Sequence, residues 1–340
     1  MSKKCWNIAV VGAAGVVGEQ LIECLEERDF PVGEIKFLAG SGSAGKTLEF
    51  RGKAIAIQEL THDSFQGIDI AFFSAGSQRA REYCPSAHKA GAVSIDTSSA
   101  WRLDPDVPLV APEVNPQAIS GFGKKGIIAN PTCATIQLVV ALKPLHDYGT
   151  IKRIVVSTYQ AVSASGKKAI EELHKQVVDM LNIRSTDSEV YPHRIAFNCL
   201  PQVDSFCDNG YTNEEMKLVN ETRKIMEADI KITATAVRVP VFYGHSESIN
   251  IETEKKISAG QARELISKAP GCELVDDPSS QTYPMALDVA GHDLIQVGRI
   301  REDHSIENGL NLWVVADNIR KGAATNAVQI AEILIEKYLQ

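Results

Sequence analysis

Cys133 is the residue of this chain best placed to act as a nucleophile. It lies two residues after Pro131, which favours extended or turn backbone before it, and it opens an apolar run over residues 134–142 that reads as a helix. A thiol in the first turn of a helix meets unpaired backbone N–H groups and the positive end of the helix dipole, which bring its pKa from about 8.5 to roughly 3.5–7.5. The alternative is a buried core cysteine, since an unreactive thiol behaves as a small hydrophobe. Four further residues have types and spacings that suit chemistry. Glu214 and Lys217 stand three apart on a helical stretch beginning at Asn213, a fair N-cap, and so share one face; an ordinary solvated pair has the same spacing. Arg238 and His245 stand seven apart. An unbroken strand would point them to opposite faces, but Pro240 and Gly244 can supply the irregularity that aims both at one pocket.

These residues need a frame. Residues 7–11 are a short apolar run that breaks at Gly12-Ala13-Ala14-Gly15-Val16-Val17-Gly18, and residues 19–27 then show helical spacing. Strand, glycine turn and helix form the context of a dinucleotide fingerprint, in which the backbone approaches a pyrophosphate at the helix N-terminus. A tight turn with no ligand is the plainer alternative. The strand at 35–39 ends where an acidic residue would hold the ribose hydroxyls of NAD; instead the chain continues with Gly40, Ser41, Gly42, Ser43 and, further on, Lys46. The missing carboxylate favours the extra phosphate of NADP, although a flexible surface loop has a similar composition. Further strands at 69–76 and 92–96 flank a helix at 77–90, and Arg102 sits just beyond the second of them, as a surface ion pair or as a ligand for phosphate or carboxylate.

The expected fold is α/β: a Rossmann-like doubly wound parallel sheet over residues 1–129, completed by a C-terminal helix within 316–340, and an α+β catalytic and dimerisation domain with a mostly antiparallel sheet over 130–315. In the second half, strands are expected at 154–163, 232–241, 248–254, 295–300 and 310–315, and helices at 169–181 and 213–228.

Length and composition agree with this. The 340 residues suffice for two domains, and 44% apolar with 23% charged residues describes a globular protein. A net charge of −8 gives no basic footprint for nucleic acid, and no stretch approaches the ~20 apolar residues of a membrane span. Residues 1–7 hold no signal-peptide core, which points to the cytoplasm. The seven cysteines are scattered, odd in number and without a Cys-x-x-Cys pair, arguing against a disulfide framework or a structural zinc site; no metal is expected.

Six stretches carry a family resemblance: Gly12 to Gly18, Ser43-Ala44-Gly45-Lys46, Asn130-Pro131-Thr132-Cys133, residues 157–163, residues 238–245, and Asp317-Asn318-Ile319-Arg320-Lys321-Gly322-Ala323-Ala324. Together they resemble the aspartate-β-semialdehyde dehydrogenase family along essentially the whole chain. The resemblance implies a reversible, NADP-dependent reductive dephosphorylation of L-4-aspartyl phosphate to L-aspartate 4-semialdehyde in lysine, methionine and threonine synthesis, by a homodimer or homotetramer. It implies Cys133 as the nucleophile that forms a thioester, His245 as its acid/base, and Gln160 as the residue orienting substrate. It further implies Arg238 at the substrate α-carboxylate, Glu214 at the α-ammonium, and Arg102 with Lys217 at the phosphate. Gly12, Ala14, Gly15, Val16, Val17, Gly42, Ser43, Ser163, Ala164 and Asn318 would contact the dinucleotide. The chain departs from the family pattern at Thr132 and Ala134, where Asn and Ser are common, at Ala164, where Gly often stands, and at Gly42, where an arginine often stands. The competing expectations are an N-acetyl-γ-glutamyl-phosphate reductase, which a carboxylate at Glu214 suits less well, and a catalytically silent dinucleotide-binding paralogue.

Overall fold

The structure, a computed structural model, describes residues 4–339. The chain divides into two compact units, one running up to Thr132 and resuming at Ala323, the other Cys133–Gly322. The borders fall a few residues after the expected ones, so Asn130, Pro131 and Thr132 group with the first unit and Cys133 opens the second.

In the first unit, β1 (Trp6–Val11) leads through the glycine turn into α1 (Val16–Glu27), followed by β2 (Val32–Ala39), β3 (Thr47–Phe50), β4 (Lys53–Glu59), β5 (Ile70–Phe73), α2 (Ser77–Lys89), β6 (Val93–Asp96) and β7 (Ile127–Ala129). The sheet runs in the order β3-β4-β2-β1-β5-β6-β7, parallel throughout except for the β3–β4 hairpin. The order departs in both directions from β1, which places the ligand crevice of a doubly wound sheet at the carboxyl ends of β1 and β5. Residues on β1 and β5 are buried almost without exception, as strands covered on both faces must be. The closing helix, given its number below, belongs to this unit: Thr325 Oγ1 lies 3.5 Å from Cys24 Sγ, and Glu332 receives a two-pronged bond from Arg28 at 2.9 and 2.7 Å.

The second unit starts with α3 (Cys133–Gly149) and continues through β8 (Ile151–Gln160), α4 (Lys167–Leu181), α5 (Asn213–Met226), β9 (Lys231–Arg238), β10 (His245–Thr253), α6 (Ala259–Ser267), β11 (Cys272–Leu274), β12 (Ile295–Asp303) and β13 (Gly309–Ala316). After one π turn at Arg320–Ala324 the chain enters α7 (Thr325–Lys337), the closing helix. Six strands form a mixed sheet, β11-β12-β13-β10-β8-β9, with antiparallel pairing at its centre and a parallel pair at each edge. From Ala134 to Leu142, α3 is buried all round, which explains its continuous apolar run and fixes its position against the sheet.

Two expectations are corrected here. Thr212, not Asn213, caps α5: its side chain accepts from the N–H of Glu215, whose carboxylate accepts from the Thr212 N–H, a reciprocal capping box. The strand expected to run to residue 241 stops at Arg238. The chain then crosses to the other side of β8 before β10 begins at His245, with Gly244 at φ +88° making the turn.

Candidate active site

That crossing sets the geometry. Arg238 closes β9 opposite Gln160, the last residue of β8, and His245 opens β10 on the far side of β8 with Ser246 opposite Tyr159. Gln160, Arg238 and His245 therefore stand at one end of one sheet, brought there by strand register.

The peptide groups of Ala161, the next residue, tie two of them together. Its N–H donates to Nδ1 of His245 at 3.1 Å, and its carbonyl accepts from Nη1 of Arg238 at 2.7 Å. His245 is fully buried, and burial, helped by the charge of Arg238, holds its pKa well below the usual range. A neutral ring whose Nδ1 accepts a hydrogen bond carries its proton on Nε2, and Nε2 has no partner among the described residues. Nε of Arg238 is likewise buried without a partner among the described residues.

Gln160 donates to Glu214 Oε1 at 3.2 Å, and Lys217 bridges Glu214 Oε2 at 3.1 Å and Asp204 at 2.8 Å. Glu214 is only 6% exposed, so the carboxylate of this pair is built into the interior beside Gln160, while Lys217 stays partly exposed. The two carboxylates draw the Lys217 pKa up against the opposing effect of burial, which keeps the ammonium charged.

Cys133 is the first residue of α3, as its flanking sequence implies. Gly322 lies against it: a Cβ on Gly322 would come within 2.6 Å of Cys133 Cβ, so the π turn can pass the thiol only with glycine there. One helical turn after Cys133, Gln137 donates to the His245 carbonyl at 3.5 Å, linking the nucleophile's helix to the histidine's strand. Glu247, two residues after His245 and so on the same strand face, is fully buried, and among the described residues neither carboxyl oxygen has a partner in good hydrogen-bond geometry. Burial pushes its carboxyl well above the usual range, against a smaller opposing effect of Gln137. Ser163 and Asn318 are bonded to each other at 3.0 Å, and Asn318 also accepts from the N–H of Gly244 at 3.0 Å; Ala164 is exposed on the short turn Val162–Ser165 that also holds Ser163.

The first unit holds the other expected residues. Arg102 is 6% exposed and donates from Nε to the Asn130 carbonyl at 2.9 Å and from Nη2 to the Thr97 carbonyl at 2.7 Å. Asn130 is completely buried, and its remaining polar groups are also bonded, its Oδ1 to Nδ2 of Asn326 at 2.7 Å and its N–H to the Asp96 carbonyl at 2.8 Å. The stretch leading into Cys133 is thereby fixed. Gly12, Ala14, Gly15, Gly42 and Ser43 line a groove of about 450 Å³ at the ends of β1, β2 and β5, while Val16 and Val17 form the first turn of α1. The glycines are required by packing. A Cβ on Gly12, whose φ is +85°, would lie 2.8 Å from the Ser74 carbonyl, and one on Gly18 would lie 2.2 Å from the Gly12 carbonyl oxygen. Gly15 caps α1 without a side chain, leaving its first N–H groups for an anion, so the groove fits a dinucleotide pyrophosphate.

The sequence assigns no individual role to Ala161, Gln137, Glu247, Gly322 or Asn326. Ala161 acts through its backbone and leaves no signature. A glutamine inside the apolar run of α3 and a glutamate inside a buried strand are signals that were available.

The chain matches two family models, "Semialdehyde dehydrogenase, NAD binding domain" over residues 7–122 and "Semialdehyde dehydrogenase, dimerisation domain" over residues 142–321. It is 55% identical over 337 residues to the aspartate-semialdehyde dehydrogenase of Aquifex aeolicus, covering 98% of this chain and 99% of that one. Among solved structures it resembles aspartate semialdehyde dehydrogenase II of Vibrio cholerae complexed with ASA, with a TM-score of 0.97 at 48% identity, covering 99% of this chain and all of that one. It also resembles the Candida albicans aspartate semialdehyde dehydrogenase with NADP, with a TM-score of 0.77 at 26% identity, over 99% of this chain and all of that one.

Proposed function

The chain belongs to the aspartate-semialdehyde dehydrogenase family, and we propose that it interconverts L-4-aspartyl phosphate and L-aspartate 4-semialdehyde, with NADP as the dinucleotide and a homodimer as the working assembly. The observation that carries this reading is the Ala161 peptide pair, which joins a buried neutral histidine and a buried arginine at the sheet end next to the helix that Cys133 opens.

In the reductive direction the Cys133 thiolate adds to the acyl carbonyl of aspartyl phosphate; a carbon–sulfur bond forms, the carbon–oxygen bond to phosphate breaks, and phosphate leaves with the electron pair. This covalent step divides one difficult displacement into two easier ones. The dinucleotide, when bound, supplies hydride to the thioester carbon. Collapse of the resulting thiohemiacetal oxyanion returns the electron pair to sulfur and releases the aldehyde. The acid/base role expected of His245 narrows to its Nε2–H, which donates to the oxygen that becomes negative as sulfur adds and to sulfur as it departs. Nδ1 is committed to Ala161, so the ring keeps one orientation and one tautomer throughout.

Substrate groups have matching partners. A carboxylate would satisfy the buried Nε of Arg238, a planar fork already steadied by Ala161. Glu214 faces an ammonium in this reading, Gln160 orients the acyl group from its bond to Glu214, and Lys217 and Arg102 are each proposed as phosphate ligands. Gly12, Ala14, Gly15, Val16 and Val17 hold the pyrophosphate, with Gly42 and Ser43 at the ribose end and Ser163, Ala164 and Asn318 toward the nicotinamide. The test is to incubate the enzyme with L-aspartate 4-semialdehyde, phosphate and NADP and follow the absorbance of the reduced cofactor. Phosphate-dependent reduction supports the reading. No reduction, or reduction only with the N-acetyl-glutamyl semialdehyde, overturns it.

A further inference from the structure

Arg79 stands in the first turn of α2, directly after β5, and lines the dinucleotide groove. Its guanidinium reaches back across the groove to the end of β2: Nη1 is 3.5 Å from the Ala75 carbonyl, and Nη2 is 3.3 Å from the point where a Cβ on Gly40 would stand. Gly40 thus leaves the room that the guanidinium occupies. The end of β2 is where this class of fold meets the ribose of the adenosine, with an acidic side chain for a 2′-hydroxyl or an arginine for a 2′-phosphate. Here that position carries Gly40, Ser41, Gly42 and Ser43, and Gly42 contributes no side chain at all. Among the described residues lining the groove, Arg79 is the single charged one, and none is a carboxylate.

We propose that Arg79 is the specificity-determining residue for the cofactor, its guanidinium gripping the 2′-phosphate from α2 in place of a side chain on the loop after β2. The proposal rests on the NADP reading given above and names the group responsible for it. A dianionic phosphate accepts two parallel N–H bonds from the planar fork of arginine, and Ser43 lines the same groove to add a hydroxyl. The pyrophosphate is bound elsewhere, at the α1 N-terminus, so the two phosphate subsites are separable.

The experiment measures binding of two fragments to the full-length enzyme by calorimetry: 2′,5′-ADP, which carries the 2′-phosphate, and 5′-AMP, which does not. The wild type should bind 2′,5′-ADP at least tenfold more tightly. Arg79→Ala should lose most of that difference while 5′-AMP affinity stays within about twofold, Arg79→Lys should retain part of it, and Gly40→Val should reproduce the loss by displacing the guanidinium without changing residue 79. Steady-state kinetics should follow, with the NADP-to-NAD ratio of kcat/KM collapsing in Arg79→Ala. A wild type that discriminates together with an Arg79→Ala enzyme that discriminates equally well would overturn the role of Arg79 and leave the NADP reading standing. A wild type that does not discriminate would overturn both.

Discussion

The N–H of Ala161 donates to Nδ1 of His245 over 3.1 Å, while the carbonyl of the same residue holds Arg238 at 2.7 Å. One residue thus sets the tautomer of the histidine and the orientation of the arginine. The bonds come from the backbone, so no substitution at position 161 short of proline removes the N–H donor. The chemistry assigned to each partner can then be tested from the side chains.

His245→Asn keeps a polar group but removes the Nε2 proton from its place. Turnover should fall by about 10²–10⁴-fold while KM for aspartate semialdehyde changes little, because the donor acts on charge that develops after binding. A rise in KM with kcat unchanged would make His245 a substrate ligand instead.

Arg238→Lys keeps the charge but not the fork. Both kcat and KM should suffer, since a carboxylate held by one bond rather than two leaves the carbonyl badly placed for sulfur. The rate at which a small alkylating agent modifies Cys133 should stay near that of the wild type. Alkylation that collapsed together with turnover would show that Arg238 acts on the thiol.

Burial raises the folded-state pKa of Glu247 well above the usual range, so between the ordinary glutamate pKa, about 4.3, and that raised value the folded state binds more protons than the unfolded state. Stability should therefore fall as pH rises through that range, by at most about 1.4 kcal/mol per pH unit from this group. Glu247→Gln removes the dependence. Urea unfolding at several pH values should show the variant gaining on the wild type as pH rises, and parallel curves would show Glu247 to be ionised. His245 acts with the opposite sign: its folded pKa is depressed, so its contribution is intact above about pH 6.5 and is lost as pH falls below it.

How far the sequence revealed this site depends on the interaction concerned. Cys133 at a helix start follows from Pro131 and the apolar run, and the groove follows from Gly12, Gly15 and Gly18, because each is a local consequence of residue type. The cap of α5 was also legible. Thr212 and Glu215 have capping-box spacing, and Asn213 attracted the assignment only because it too favours caps. The β3–β4 hairpin went unread because its strands are short and largely exposed, without clean apolar alternation. The meeting of Arg238 and His245 was anticipated, but its cause was not. Pro240 and Gly244 do not kink one strand; they carry the chain from one side of β8 to the other, and only sheet order reveals that. The Ala161 bonds belong to the backbone and have no sequence signal.

The central claim is that the acyl group is carried on the sulfur of Cys133. The direct measurement is to mix the enzyme with aspartyl phosphate in the absence of reduced dinucleotide, quench in acid, digest, and locate the added aspartyl group by mass spectrometry. The account predicts a hydroxylamine-sensitive thioester on the peptide containing Cys133, absent in Cys133→Ala, and lost from the wild type when NADPH is added before the quench. Acylation of another residue, or turnover persisting in Cys133→Ala, would contradict it.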